Sequence, residues 1–229
     1  MVIAVDGPAG AGKSTVCRRL AKALGAVYLD TGAMYRAVAW ALDKRGMADA
    51  PDERISSELA ALPLEFRMEG EGLAVYWQGK PLGDEIRTPS VSRTASLVSQ
   101  RRPVRDFLTR LQRDLARGRD VVVEGRDMTT VVFPDAELKV FLTASDRVRA
   151  ERRWAEYRQK GLSADLEEIL RQIQERDAAD SQRSLAPLRP GEGAIIVDTS
   201  DLSIDRVVEQ LARLASEARK KAGKREGSS

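Results

Sequence analysis

Short apolar runs alternate with longer stretches of helical spacing along most of the chain. Val2-Ile3-Ala4-Val5 reads as a buried strand ending at Asp6, and Lys13 to Leu24 as a helix closed by Gly25. Val27-Tyr28-Leu29 is a second strand, ending at Asp30-Thr31-Gly32. Ala33 to Arg45 is a helix stopped by Gly46, and another helix opens at Pro51-Asp52 and runs to about Leu62. The period then changes. Leu64-Glu65-Phe66-Arg67-Met68 alternates, Glu69-Gly70-Glu71-Gly72 is a turn, and Leu73-Ala74-Val75-Tyr76-Trp77-Gln78 alternates again before Gly79-Lys80-Pro81. This predicts a small antiparallel meander inserted at about 64–86.

Two helices follow, about Pro89 to Gln100 and Pro103 to Arg117. Val121-Val122-Val123 and Leu138-Lys139-Val140-Phe141-Leu142 are strands. Ser145-Asp146 opens a highly charged helix to about Gln159, Gly161-Leu162-Ser163 breaks it, and Leu166 to Ser181 is a second charged helix. Ala194-Ile195-Ile196-Val197 is the last strand and Ser203 to about Ala218 the last helix. The tail from Arg219 to Ser229 is polar and expected to fray. Short apolar strands alternating with helices specify a parallel, doubly wound α/β sheet. Ligands bind such sheets at the carboxyl ends of the strands. Here those ends carry Asp6-Gly7, Asp30-Thr31-Gly32, Glu124-Gly125-Arg126-Asp127 and Thr143-Ala144-Ser145-Asp146.

Composition narrows the chemistry. Of the 229 residues, 38 are basic and 35 acidic, a near balance that does not suit a nucleic-acid binder. The aromatic content of 5% leaves few stacking platforms for single strands. With one cysteine, Cys17, the chain forms no internal disulfide or cysteine zinc cluster, and Cys17 reads as a small buried hydrophobe. The absence of histidine removes histidine-activated nucleophiles and the commonest metal ligand. No 18-residue apolar run and no signal-like start occur, so a soluble cytoplasmic protein without membrane partners is expected.

Between the first strand and first helix lies Gly7-Pro8-Ala9-Gly10-Ala11-Gly12-Lys13-Ser14, followed by Thr15: a complete G-x-x-x-x-G-K-[ST] loop in its proper context. Its glycines let backbone N–H groups curl around phosphate oxygens, and the helix start adds attraction for anions. Lys13 is placed for the β- and γ-phosphates and the Ser14 hydroxyl for Mg²⁺. Glu124 follows an all-apolar strand and is a candidate for the water shell of that Mg²⁺. Arg36, Arg126, Arg176 and Arg183 offer bidentate forks for phosphate, with Asp180 on the face shared by Arg176 and Arg183. A hydroxyl acceptor would require a base to take its proton; a phosphate acceptor would not. Many arginines, few spare carboxylates and no histidine favour a phosphate-bearing acceptor. A GTPase reading lacks its guanine motif, since the chain has no asparagine. A kinase for another nucleoside monophosphate or a small metabolite is the alternative.

Gly7 to Thr15, Tyr28-Leu29-Asp30-Thr31-Gly32-Ala33-Met34-Tyr35-Arg36, Glu85-Ile86-Arg87, the segment from Glu124-Gly125-Arg126-Asp127-Met128 to Pro134-Asp135-Ala136, and Glu175-Arg176-Asp177 closely resemble bacterial cytidylate kinases. The resemblance runs from Val2 to about Leu214. It implies a P-loop nucleoside triphosphate hydrolase fold, a parallel sheet flanked by helices, with an inserted small antiparallel sheet and a short lid. It implies a core over 1–30, 118–145 and 187–218, a nucleoside-monophosphate-binding region over 31–117, and a lid with flanking helices over 146–186, leaving 219–229 as a disordered tail. The activity implied is Mg²⁺-assisted transfer of the ATP γ-phosphate to CMP or dCMP by a monomer. Acceptor-phosphate contacts carry over to Thr31, Arg36, Arg126 and Arg183, cytosine contacts to Ser96, Arg105 and Asp127, and pentose contacts to Arg176 and Asp180. Lid arginines that close on the ATP phosphates would be Arg149, Arg153 and Arg158. Thr31 stands where the family often has Ser, and Glu124 where it often has Asp; hydroxyl and charge are both kept.

Overall fold

The computed structural model describes residues 1–159, 161 and 163–226, the last five by backbone only. In chain order the elements are β1 (Val2–Asp6), α1 (Lys13–Leu24), β2 (Val27–Asp30), α2 (Thr31–Lys44), α3 (Asp52–Ala61), β3 (Leu64–Glu69), β4 (Gly72–Trp77), β5 (Lys80–Pro81), α4 (Pro89–Val98) and α5 (Arg102–Ala116). Then come β6 (Val121–Glu124), β7 (Leu138–Thr143), α6 (Asp146–Gln159), α7 (Leu166–Gln182), β8 (Ile195–Asp198) and α8 (Ile204–Glu226). A 3₁₀ turn spans Asp84–Arg87 and a π turn Met128–Val132. The chain divides into two compact units, one of residues 1–26 with 121–229 and one of residues 27–120.

The first unit carries four parallel strands in the order β6-β1-β7-β8, with Val2 opposite Val121 and Ile3 opposite Leu138. β1 is hydrogen-bonded on both edges and covered on both faces, so Ile3, Ala4 and Val5 of its apolar run are buried. Helix α1 turns Val16, Cys17, Leu20 and Ala21 inward and packs on α8 through the latter's Val207, Leu211 and Ala215. Cys17 is buried and in no disulfide, as its position implied. Helices α6 and α7 hold each other through Ala150, Ile169 and Ile173, flanked by Trp154, Tyr157 and Leu166.

In the second unit, β3 and β4 form the expected antiparallel hairpin, six residue pairs long, and β5 pairs antiparallel with the end of β4. The hairpin is joined to the preceding strand. β4 begins in parallel pairing with β2, Tyr28 opposite Gly72, and Tyr28 N donates to Glu71 O. The small side chains Ala33 and Ala37 of α2 let it lie close to Val75 and Ile86, with Phe66 and Trp40 around them. Trp40 meets Trp77 edge to face with centroids 5.3 Å apart.

One expectation is revised. The last helix continues to Glu226 rather than stopping near Ala218, because the Ala-, Lys-, Arg- and Glu-rich sequence beyond its packed face still favours helix. Residues 227–229 of the expected tail, and Lys160 and Leu162 at the expected break, lie outside the described residues. Gly161 itself is left-handed, at φ 70°.

Truncation of Ile173, which is fully buried between α6 and α7, is expected to cost about 3 kcal/mol in Ile173→Ala. A urea titration should show a lower midpoint at unchanged slope; an unchanged midpoint would contradict this packing.

Candidate functional site

The loop after β1 is shaped by what lies behind it. At Gly7, with φ 149°, a Cβ would stand 2.0 Å from the backbone oxygen of Leu142 in β7. At Gly10, with φ 78°, a Cβ would meet the Arg149 Cβ at 3.1 Å. The chain therefore runs flush against β7 and α6, which only glycine allows. The loop's carbonyls are taken up on that side. Lys13 Nζ donates to Pro8 O at 2.8 Å and Arg149 Nη1 to Ala9 O at 3.0 Å, and Thr199 Oγ1 shares its proton between Thr143 O at 3.1 Å and Ala11 O at 3.4 Å. This leaves the amide side for an anion. Helix α1 begins after Gly12 with no side-chain cap and no acidic residue in its first turn, so its positive end is not offset locally. Ser14 and Thr15 are exposed on that first turn.

Lys13 is buried, and its pKa is pushed down to about 7. Burial is the main cause, the Arg126 guanidinium adds to it, and Glu124 opposes it. Glu124 itself is buried at the end of β6. Hydroxyl and carboxylate oxygens at Ser14 and Glu124 suit a hard divalent ion such as Mg²⁺, which takes the rest of its shell from phosphates and water. Asp6 is fully buried, and burial raises its pKa against three hydrogen bonds that lower it.

Beyond β6, Arg126 Nε donates to Asp180 Oδ2 at 3.0 Å, and Arg183 Nη1 lies 3.9 Å from Asp180 Oδ1. Arg183 is the residue that ends α7, and its Nε donates to Ala186 O at 2.6 Å. One carboxylate thus gathers two of the sequence-assigned phosphate arginines. Arg176, one turn before Asp180 on α7, is half-buried, and Asp127 is buried at the entry to the π turn.

The arginines of α6 differ from the expected lid. Arg149 is not a surface group free to swing over phosphates. It is 2% exposed, donates from Nε to Ala144 O at 3.0 Å, and pairs through Nη2 with Asp146 at 2.5 Å and Asp177 at 2.6 Å. With its third nitrogen on Ala9 O, it serves as scaffold for the loop. Arg153 donates to the Tyr157 hydroxyl and Arg158 stacks over Trp154. Arg152 is spent on Thr199, through Oγ1 at 3.0 Å and the backbone oxygen at 2.6 Å.

In the second unit, Asp30 caps α2 by accepting from Ala33 N at 2.8 Å and also accepts from Arg36 Nη2 at 3.3 Å. Gly32 makes room for that guanidinium, since a Cβ there would lie 3.0 Å from Arg36 Nη1. The Arg36 Nε is buried without a hydrogen-bond partner, and Thr31 is buried beside it at the helix start. Ser96 is half-buried on α4, and Arg105, buried on α5, donates to Ser99 O at 3.2 Å. Sequence reasoning missed Thr199 and Asp177 as loop supports. Asp6 was noted only as a strand end. Asp177 carried a signal, its place beside Arg176; Thr199 carried none.

Binding of a polyphosphate to the loop requires the ammonium form of Lys13. The pKa of about 7 means that the charge is present below that pH and lost above it in the unliganded protein. Binding of a non-hydrolysable ATP analogue is therefore expected to take up a proton at pH 8, and affinity to fall as pH rises from 7 to 9. Calorimetry in buffers of different ionisation enthalpy reads this; buffer-independent heats would contradict it.

A family model described as cytidylate kinase matches residues 3–217. A cytidylate kinase of Thermosipho melanesiensis is 46% identical over 215 residues, 94% of this chain and 96% of that protein. One from Caldanaerobacter subterraneus subsp. tengcongensis is 46% identical over 209 residues, 91% of this chain and 92% of that protein. Among solved structures, an uncharacterized protein from Eubacterium ventriosum superposes with a TM-score of 0.50 at 12% identity, over 93% of this chain and 97% of that one, a likeness of fold alone. With the phosphate loop intact and the match extending over nearly its whole length, the chain belongs to the cytidylate kinase family.

Proposed function

We propose that this protein transfers the γ-phosphoryl group of ATP to CMP or dCMP, releasing ADP with CDP or dCDP. The observation that carries the reading beyond the family match is electrostatic. Arg126 lies near enough to Lys13 to depress its pKa, while the same guanidinium is held by Asp180 together with Arg183. Two cationic groups so close are stabilised by an anion, and the forks that grip a carboxylate also grip a phosphate. A second phosphate-bearing ligand next to the loop's own is the simplest occupant.

In this reading Gly7 to Thr15 cradle the triphosphate. Arg126 and Arg183 of the first unit are assigned to the acceptor phosphate; Thr31 and Arg36 of the second carry the same assignment, and the buried Arg36 Nε is a donor that a phosphate would satisfy. Ser96, Arg105 and Asp127 read cytosine, and Arg176 and Asp180 the pentose. A phosphate oxygen of CMP attacks the γ-phosphorus in line, the bond from that phosphorus to the β-bridging oxygen breaks, and ADP leaves. The attacking oxygen is already anionic, so no general base is needed. Lys13 and the α1 terminus offset charge as it spreads over the transferred group. Ser14 and Glu124 would hold Mg²⁺, which would supply charge neutralisation on the phosphates. Arg153 and Arg158 remain candidates for closing over ATP by leaving their aromatic partners, whereas Arg149 supports the loop from behind. The reading takes the protein to be a cytoplasmic monomer whose partners are ATP and CMP or dCMP, with no nucleic acid or membrane. No described helix is long and apolar enough to cross a membrane.

An ADP-release assay with CMP, dCMP, UMP, AMP and shikimate should give kcat/KM for CMP or dCMP at least about tenfold above the rest. A preference for AMP or shikimate would overturn the reading. Lys13→Ala is expected to lower kcat by about 10²- to 10³-fold while melting cooperatively; near-normal kcat would remove Lys13 from its role.

A further inference from the structure

Asp6 is the last residue of β1 and is fully buried. Its carboxylate accepts from Met128 N at 2.8 Å, Thr129 N at 2.7 Å and Thr129 Oγ1 at 2.6 Å. One residue earlier, Val5 O accepts from Gly125 N at 2.9 Å. The two residues between these ties are Arg126 and Asp127. Both are therefore fixed, before and after, to consecutive residues of β1, and the next residue of that strand's chain is Gly7 of the phosphate loop.

Thr129 is held from its other side as well. Its Oγ1 accepts from Gly191 N at 3.1 Å, and at Gly191 a Cβ would fall 2.3 Å from Thr129 O. The hydroxyl therefore donates to Asp6 and accepts from Gly191, which only Ser or Thr can do at that place. Burial of a carboxylate is costly, and Asp127 nearby makes it costlier. Both oxygens of Asp6 are engaged, one by Met128 and the other twice by Thr129. An amide would turn its NH₂ toward one of those donors and leave a mismatch that an apolar closure would never have created.

We propose that Asp6 is a positioning residue for the acceptor nucleotide. Through Thr129 it sets Arg126 and Asp127 in fixed register with the phosphate loop, so that base reading and phosphoryl transfer share one frame. This rests on the reading above, in which Arg126 and Asp127 hold CMP. Asp6 itself touches neither substrate in this role.

Steady-state kinetics of wild type, Asp127→Ala, Asp6→Asn, Thr129→Val and Thr129→Ser, with CMP and UMP as acceptors, test it. Asp6→Asn and Thr129→Val are expected to raise the KM for CMP and cut the CMP-over-UMP ratio of kcat/KM by about tenfold, with the KM for ATP changed by less than about threefold. Thr129→Ser should restore wild-type values. If Asp6→Asn does not fold, the Val and Ser pair at Thr129 decides. Wild-type selectivity in a folded Thr129→Val or Asp6→Asn, or a uniform rise in both KM values, overturns the positioning role when Asp127→Ala alone loses selectivity. If Asp127→Ala also keeps selectivity, or wild type does not phosphorylate CMP, the underlying reading of the acceptor fails and the inference falls with it.

Discussion

A backbone loop binds phosphate well only if its amides are aimed before the phosphate arrives, and that requires its carbonyls to be held elsewhere. Here Lys13, Arg149 and Thr199 take the carbonyls of Pro8, Ala9 and Ala11 from three different parts of the first unit. Gly7 and Gly10 permit this because β7 and α6 come closer than a side chain would tolerate. Much else in the unit follows from that constraint. α6 must lie behind the loop, α7 must support α6, and Asp177 must face Arg149 for the guanidinium to remain buried. The preorganised loop then costs little reorganisation when charge develops on the transferred group.

The unliganded protein holds its phosphate-binding cations on carboxylates. Each arginine assigned to the acceptor phosphate faces a carboxylate: Arg126 and Arg183 share Asp180, and Arg36 has Asp30. These carboxylates are acceptors of the same geometry as a phosphate and keep the forks aimed while no ligand is bound. Lys13 is different. Its neighbours do not fully compensate its burial, and its proton becomes labile near neutral pH. A triphosphate supplies what the protein withholds, so binding and protonation are linked.

The strands, the phosphate loop and the helix starts were legible because their signals are local: glycine spacing, apolar runs and capping residues within a few positions. The strand-end rule also singled out Arg126 and Asp127, which follow β6. What the sequence hid was the direction of side chains on charged helices. Arg149, Arg152, Arg153 and Arg158 look alike in a helix whose polar residues surround it, yet one is 2% exposed and another stacks on its own helix. Asp6 and Thr129 are 123 positions apart, and Thr199 and Ala11 188, so no local pattern joins them. Ser96 and Arg105 entered only through family resemblance, since neither residue breaks the ordinary amphipathic pattern of α4 and α5.

The central claim is that the loop is the donor half of a site for two nucleotides. A bisubstrate analogue that joins adenosine to cytidine through five phosphates addresses it directly by titration calorimetry. The account predicts one analogue per chain, bound at least about a hundredfold more tightly than ATP or CMP alone. An analogue that binds no more tightly than ATP, or that still binds unchanged when CMP is saturating, would contradict it.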